Sequence, residues 1–322
     1  MKHLLLDLTD NGGGILQVAN EIADEFLGDG KLIVYTEGKN QPRFTMNATG
    51  GDALQDGRLV ILVNGASASA SEILAGAVQD WDRGVVVGRR TFGKGLVQRQ
   101  LPLPDGTMIR LTVARYYTPT GRSIQRPYEE GNLDAYNMDF MNRIQHGELF
   151  AADSIHFADS LQYTTLVNKR TVYGGGGIMP DYFVPVDTTS GTMLHANLNA
   201  RGVINRAAIA EVDNRRAELL EKFSNVDSFS AGYQVSDEIE NRIQTLAKEE
   251  DIEWNQEEYA RSRSLISLQL KALIARDLYN SSAFYRIINE ENDIFQEGLE
   301  IISDSRRYDG LLQGIGSNVG QN

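Results

Sequence analysis

Val63-Asn64-Gly65-Ala66-Ser67-Ala68-Ser69-Ala70-Ser71-Glu72-Ile73-Leu74-Ala75-Gly76 reads as a strand end that delivers a serine to the start of a helix. The preceding run, Leu59-Val60-Ile61-Leu62-Val63, is continuous, apolar and rich in β-branched residues, as a strand buried on both faces is. Asn64-Gly65 breaks it, and Ile73, Leu74, Ala77 and Val78 then recur at helical spacing up to Asp80 and Asp82. The small residues between them mark a tight strand-to-helix turn. The first N–H groups of a helix have no intrahelical partner, so developing negative charge is favoured there. A nucleophile fits such a turn, although side-chain chemistry does not choose among Ser67, Ser69 and Ser71. Ser69 with Glu72 three residues on also fits a helix capping box, the plainer reading of those two residues taken alone.

A serine needs a base. The chain has no cysteine, and its four histidines, His3, His146, His156 and His195, all lie outside residues 60–126. Within that region the better candidate is Lys94, in Thr91-Phe92-Gly93-Lys94-Gly95-Leu96-Val97-Gln98 after the apolar strand Val85-Val86-Val87-Gly88. Glycine costs backbone entropy and is kept where backbone must approach closely, so two flanking glycines point to a lysine held against something. Burial can lower a lysine pKa by as much as about 3–5, and Phe92, Leu96 and Val97 are apolar neighbours able to supply it.

Five ordered blocks now resemble the carboxy-terminal processing peptidases, or tail-specific proteases. They are Leu6-Asp7-Leu8-Thr9-Asp10-Asn11-Gly12-Gly13-Gly14, the serine turn at 67–76, the lysine block at 91–98, Tyr117-Thr118-Pro119-Thr120-Gly121-Arg122-Ser123-Ile124-Gln125, and Gly174-Gly175-Gly176-Gly177-Ile178-Met179-Pro180-Asp181. The likeness covers residues 4–126 and 173–186. In that family the nucleophile lies 25 residues before the base lysine, which from Lys94 selects Ser69.

The resemblance implies an α/β fold, a ClpP/crotonase-like spiral ββα protease core, and a serine endopeptidase acting on proteins at or near apolar C-terminal tails. Ser69 would be the nucleophile, Lys94 the general base and Gln98 a side chain that orients the lysine. The N–H groups of Gly14 and Ala70 would form the oxyanion hole, and removing one such donor typically costs roughly 10²–10³ in rate. Glu72 is open between a helix cap, a lysine partner and a positioning group. A carboxylate on the lysine would keep it charged, against a base role. The resemblance implies no metal or organic cofactor, and a cell-envelope or periplasmic setting in a bacterium. Relatives often assemble through terminal helices, so a homo-oligomer formed through the C-terminal helices is a further expectation.

Outside the blocks, 322 residues with 41% hydrophobic content suffice for two domains with their own cores. The division expected is a peptidase core over 1–190, with an insertion at about 127–172, and a helical domain over 191–322. A net charge of −13 argues against nucleic acid as a partner, since phosphate binding needs clustered Lys and Arg. The chain opens directly into an apolar strand without a signal peptide. No counterpart of the family's export signal, PDZ-like domain or first part of the protease fold precedes Leu4, so the chain reads as a fragment. A catalytically silent scaffold or oligomerisation module is therefore the alternative. Residues 28–57 read as a strand, then a polar surface connection, and 127–172 as a surface excursion. Ile239, Ile243 and Leu246, then Ile266, Leu270, Leu273 and Ile274, lie at helical spacing, and Ile288, Phe295 and Ile302 fall seven apart. Residues 314–322 read as frayed.

Overall fold

The computed structural model describes residues 2–50, 54–128 and 132–319. Residues up to Val186 together with those from Glu297 onward form one compact unit, and Asp187–Gln296 form the other. In chain order the first unit contains β1 (Leu4–Asp7), α1 (Leu16–Asp24), β2 (Leu32–Gly38), β3 (Gln41–Asn47), β4 (Leu59–Val63), α2 (Ala70–Asp80), β5 (Val85–Gly88), β6 (Leu96–Pro102), β7 (Met108–Tyr117), α3 (Leu133–Gln145), β8 (Gln162–Thr164), β9 (Thr171–Tyr173) and β10 (Tyr182–Phe183).

Four of these strands make a parallel sheet in the order β1-β4-β5-β10. β4 is central and buried at every residue, which its unbroken apolar run requires. All eleven residues of α2 are buried as well, with Ile73, Leu74 and Val78 packed in the same core as Ile61 and Val63. The serine turn thus joins two of the most enclosed elements of the unit, and its backbone has little freedom to relax.

A second, antiparallel sheet has the order β3-β2-β7-β6. The polar stretch after β2, expected as a surface connection, is in fact β3. Gly38 pairs with Gln41 across a two-residue turn, and Pro42 is tolerated because β3 is an edge strand. β6 and β7 form the hairpin expected around Pro104-Asp105-Gly106. A register shift falls between Val97 and Gln98: Val97 faces Ala114, Gln98 faces Thr112, and Val113 is the extra residue. Such a bulge re-aims the side chains beyond it.

In the second unit α4 (Met193–Ala200), α5 (Val203–Lys222), α6 (Val226–Gly232), α7 (Asp237–Glu249), α8 (Gln256–Leu278) and α9 (Ser281–Ile288) surround a core that includes Ile239, Ile243, Ile266, Leu270, Leu273 and Ile274. The seven-residue repeat at 288, 295 and 302 is not one stripe. α9 stops at Ile288 and α10 (Asp293–Ser303) starts afresh, capped through Asn292 Oδ1, which accepts the Phe295 N–H at 3.1 Å.

The end of the chain also departs from the division at residue 190. The residues of α10 from Glu297 onward and α11 (Ser305–Leu312) belong to the first unit. A Cβ on Gly298 would stand 2.5 Å from a Leu62 methyl, and the Leu59 N–H donates to the Tyr308 hydroxyl at 3.1 Å. The tail beyond is held. The Phe183 N–H donates to Asn318 Oδ1 at 2.8 Å, Asn318 Nδ2 donates to the Phe183 carbonyl at 2.8 Å, and Ser317 donates to the Asp181 carbonyl at 2.9 Å. Of the stretch expected to fray, 320–322 lie outside the described residues.

Candidate active site

The strand-to-helix turn separates the three serines that the sequence leaves equivalent. Ser67 is fully buried and donates its hydroxyl to the Leu8 carbonyl at 2.6 Å. Ser71, also buried, donates to the Asn11 carbonyl at 3.0 Å. Ser69 is half-buried and lines an open cleft of about 450 Å³. Its backbone sits at φ 57° and ψ −114°, a conformation that costs an L-residue roughly 1–3 kcal/mol and persists only where the surroundings impose it. A serine on a strained strand-to-helix turn is also how nucleophile elbows present their hydroxyl.

The glycine loop after β1 is stitched to this turn. Asn11 accepts the Ala68 N–H on its carbonyl at 3.0 Å and the Gly13 N–H on Oδ1 at 2.9 Å. Gly13, at φ +87°, lies so close that an added Cβ would stand 2.5 Å from the Ala68 oxygen and 2.6 Å from the Ala70 nitrogen. Gly14, by contrast, is exposed and has open space at its Cβ position. Neither the Gly14 N–H nor the Ala70 N–H has a hydrogen-bond partner among the described residues. Both residues line the cleft with Ser69.

Lys94 lines the same cleft, in the loop between β5 and β6, and is half-buried. Its flanking glycines mark close backbone approach. A Cβ on Gly95 would stand 2.9 Å from the Gln125 nitrogen, and Gly93, at φ +86°, lies against Gly176 and Gly177. Gln98, on β6, is exposed and also faces the cleft. All five residues expected from the sequence are thus brought to one surface depression.

Glu72 holds the two halves of that arrangement together. Its Oε2 accepts the Ser69 N–H at 2.8 Å and the Lys94 N–H at 2.9 Å, and its Oε1 accepts the Gly93 N–H at 2.7 Å and the Thr91 hydroxyl at 2.5 Å. The glutamate half of the capping box is therefore made. The contact with Lys94 is to the backbone, and the ammonium has no ion-pair partner among the described residues. Burial of the side chain raises the Glu72 pKa above 4.5, and the four donors oppose that rise.

Four further groups were not legible in the sequence. Tyr116, buried on β7, places its hydroxyl between the carbonyls of Ser69, at 3.0 Å, and Lys94. Gln125 Oε1 accepts the Gly95 N–H at 2.9 Å. Arg143 of α3 donates to the carbonyls of Thr91 at 2.8 Å, Phe92 at 3.3 Å and Gly176 at 3.3 Å, while its Nε pairs with Asp139 at 2.9 Å. Arg126 lies over the Phe92 and Tyr136 rings. The 127–172 segment is therefore more than a surface excursion: its helix clamps the loop that carries Lys94. An inward aromatic on a strand reads as core, and an arginine in a polar segment as solvated. Only the destinations of these side chains give them another role.

The serine turn, the glycine loop and the lysine loop all fall within a stretch that matches the family model described as Peptidase family S41, over residues 1–131. A carboxyl-terminal-processing protease of Picosynechococcus sp. is 50% identical over 122 residues, 38% of this chain and 29% of the relative. A carboxy-terminal-processing protease of Bartonella bacilliformis is 43% identical over 125 residues, 39% of this chain and 29% of the relative. Among solved structures, a photosystem II D1 C-terminal processing protease is 41% identical, with 39% of this chain and 32% of that one covered and a TM-score of 0.37. The match thus spans under a third of the length of these relatives. Residues 194–280, outside the S41 segment, match a family of unknown function, DUF8443. Among the described residues no helix is long and apolar enough to cross a membrane.

Proposed function

We propose that the chain is a serine endopeptidase of Ser/Lys type, with Ser69 as nucleophile and Lys94 as general base. The observation that carries this reading is convergence on one cleft. A strained serine at a helix start lines it, together with a lysine amine that has no carboxylate partner and two N–H groups that have no acceptor among the described residues. The alternation of parallel strands with α1 and α2 is in keeping with a ClpP/crotonase-like spiral core, followed by a helical C-terminal region.

In this reading a neutral amine at Lys94 takes the Ser69 hydroxyl proton as Oγ attacks a peptide carbonyl. The carbonyl oxygen, now negative, is met by the N–H groups of Gly14 and Ala70 at the positive end of α2. The proton passes to the leaving amine, and a water activated by the same lysine cleaves the acyl-enzyme. Gln98 orients the amine and transfers no proton. The cleft walls beside Ser69 include Ile15, Leu16, Ile73 and Leu96, which suits apolar residues next to the scissile bond. Processing of exported proteins in a bacterial cell envelope is the setting this implies.

The test is covalent labelling of the purified chain by a fluorophosphonate, read by intact mass. One adduct on the wild type, none on Ser69→Ala and strongly slowed labelling of Lys94→Ala are expected. Equal labelling of wild type and Ser69→Ala, or none of the wild type, removes the assignment.

A further inference from the structure

We propose that Arg110 makes the Ser69 cleft a receptor for a carboxylate on the bound peptide, a proposal that rests on the peptidase reading above. Arg110 lies on β7 directly opposite Gln100 of β6, and both line the cleft with Gln98. The bulge at Val97/Gln98 brings this about, because it puts Gln98, Gln100, Thr112 and Arg110 on one face of the hairpin.

The charges facing the cleft are of one sign. Among the described residues its lining includes two basic side chains, Lys94 and Arg110, and no Asp or Glu, although the chain as a whole carries a net charge of −13. The Arg110 guanidinium is exposed and has no carboxylate or carbonyl partner among the described residues. A Lys94 acting as base is neutral, which leaves Arg110 as the standing charge of the site. A planar guanidinium with unused donors matches a carboxylate with two hydrogen bonds.

Distance along the strand says where that carboxylate falls. Gln100 is four residues beyond Leu96, roughly 13 Å at strand rise. An extended peptide running beside β6 covers the same length in about four residues. The cleft therefore takes an apolar residue at Ser69 and a carboxylate roughly three to five residues away. That carboxylate comes from an Asp or Glu side chain or from the peptide's own C-terminus.

The experiment uses the full chain carrying Ser69→Ala and short BODIPY-labelled Ala/Val peptides ending in an amide. Each carries a single Glu, moved one position at a time, or Gln as control, and binding is read by fluorescence anisotropy. A free-acid peptide without Glu forms the second arm. The expected result is tighter binding of Glu over Gln at one or two positions by about fivefold at low salt, the scale of an exposed ion pair. Arg110→Gln removes that preference, Arg110→Lys keeps part of it, and Arg110→Glu reverses it toward a Lys peptide. A preference confined to the free-acid arm assigns Arg110 to the peptide terminus instead of a side chain. Equal binding of all peptides, no binding of any, or a preference that survives Arg110→Gln overturns the proposal. Carboxylate-selective binding without fluorophosphonate labelling of the wild type would leave this site standing and remove the peptidase reading. Labelling without selectivity would do the opposite.

Discussion

Replacing Glu72 by glutamine changes one atom and tests whether the serine turn and the lysine loop share a single anchor. The carboxylate accepts four hydrogen bonds, from the N–H groups of Ser69, Gly93 and Lys94 and from the Thr91 hydroxyl. An amide keeps one accepting oxygen, so two of those donors face an NH2 group instead. A buried donor left without an acceptor costs about 1–3 kcal/mol, and two of them put the loss at about 2–6 kcal/mol. The assay is urea unfolding followed through Trp81, the C-cap of α2, in a Trp254→Phe background that silences the other tryptophan. Fluorophosphonate labelling is measured on the same samples. Unfolding at lower urea together with slower Ser69 labelling is expected, with Glu72→Ala worse than Glu72→Gln on both counts. A stability change under about 0.5 kcal/mol with unchanged labelling would refute the shared anchor, because no buried hydrogen bonds of this kind are lost at so small a cost.

Four further outcomes follow from the same geometry. Burial holds the Glu72 pKa above 4.5, so its contribution to stability is complete below about pH 4.5 and is lost as pH rises through the higher folded value. The stability gap between wild type and Glu72→Gln should therefore narrow across that window, as urea curves at a series of pH values would show. Arg143→Met removes donors from three carbonyls and should destabilise the first unit by about 3 kcal/mol and slow labelling, although the residue lies on α3, outside the cleft. Gly13→Ala drives a methyl into the Ala68 and Ala70 backbone and should abolish labelling, whereas Gly14→Ala leaves the melting temperature within a degree or so. Ser69→Gly relieves the strained backbone at φ 57° and should raise stability by about 1 kcal/mol while removing all labelling.

What the sequence made legible was what depends on short spacing. The apolar run at 59–63, the break at Asn64-Gly65 and the helical recurrence from Ile73 place β4, the turn and α2 without any fold in hand. The glycines around Lys94 likewise announced close approach before the neighbour, Gln125, was known. Spacing failed where a residue's meaning is fixed by distant chain. β3 is polar and carries a proline because it is an edge strand, and nothing in its own pattern says that an antiparallel partner lies beside it. Glu72 was ambiguous because two of its donors, Gly93 and Lys94, arrive from more than twenty residues away. The repeat at 288, 295 and 302 looked continuous because a period of seven does not register a helix that ends and restarts between its members.

The tail that binds β10 has a consequence for how the molecule behaves in a crowd. β10 is the last strand of the parallel sheet, and the N–H and carbonyl of Phe183 are both taken up by the amide side chain of Asn318. A strand margin left bare recruits the same margin from another copy, which is the route to aggregation. One asparagine here does the work of a missing strand. A chain cut after Leu312 should fold its sheet and then associate through that bare margin, increasingly so as its concentration rises.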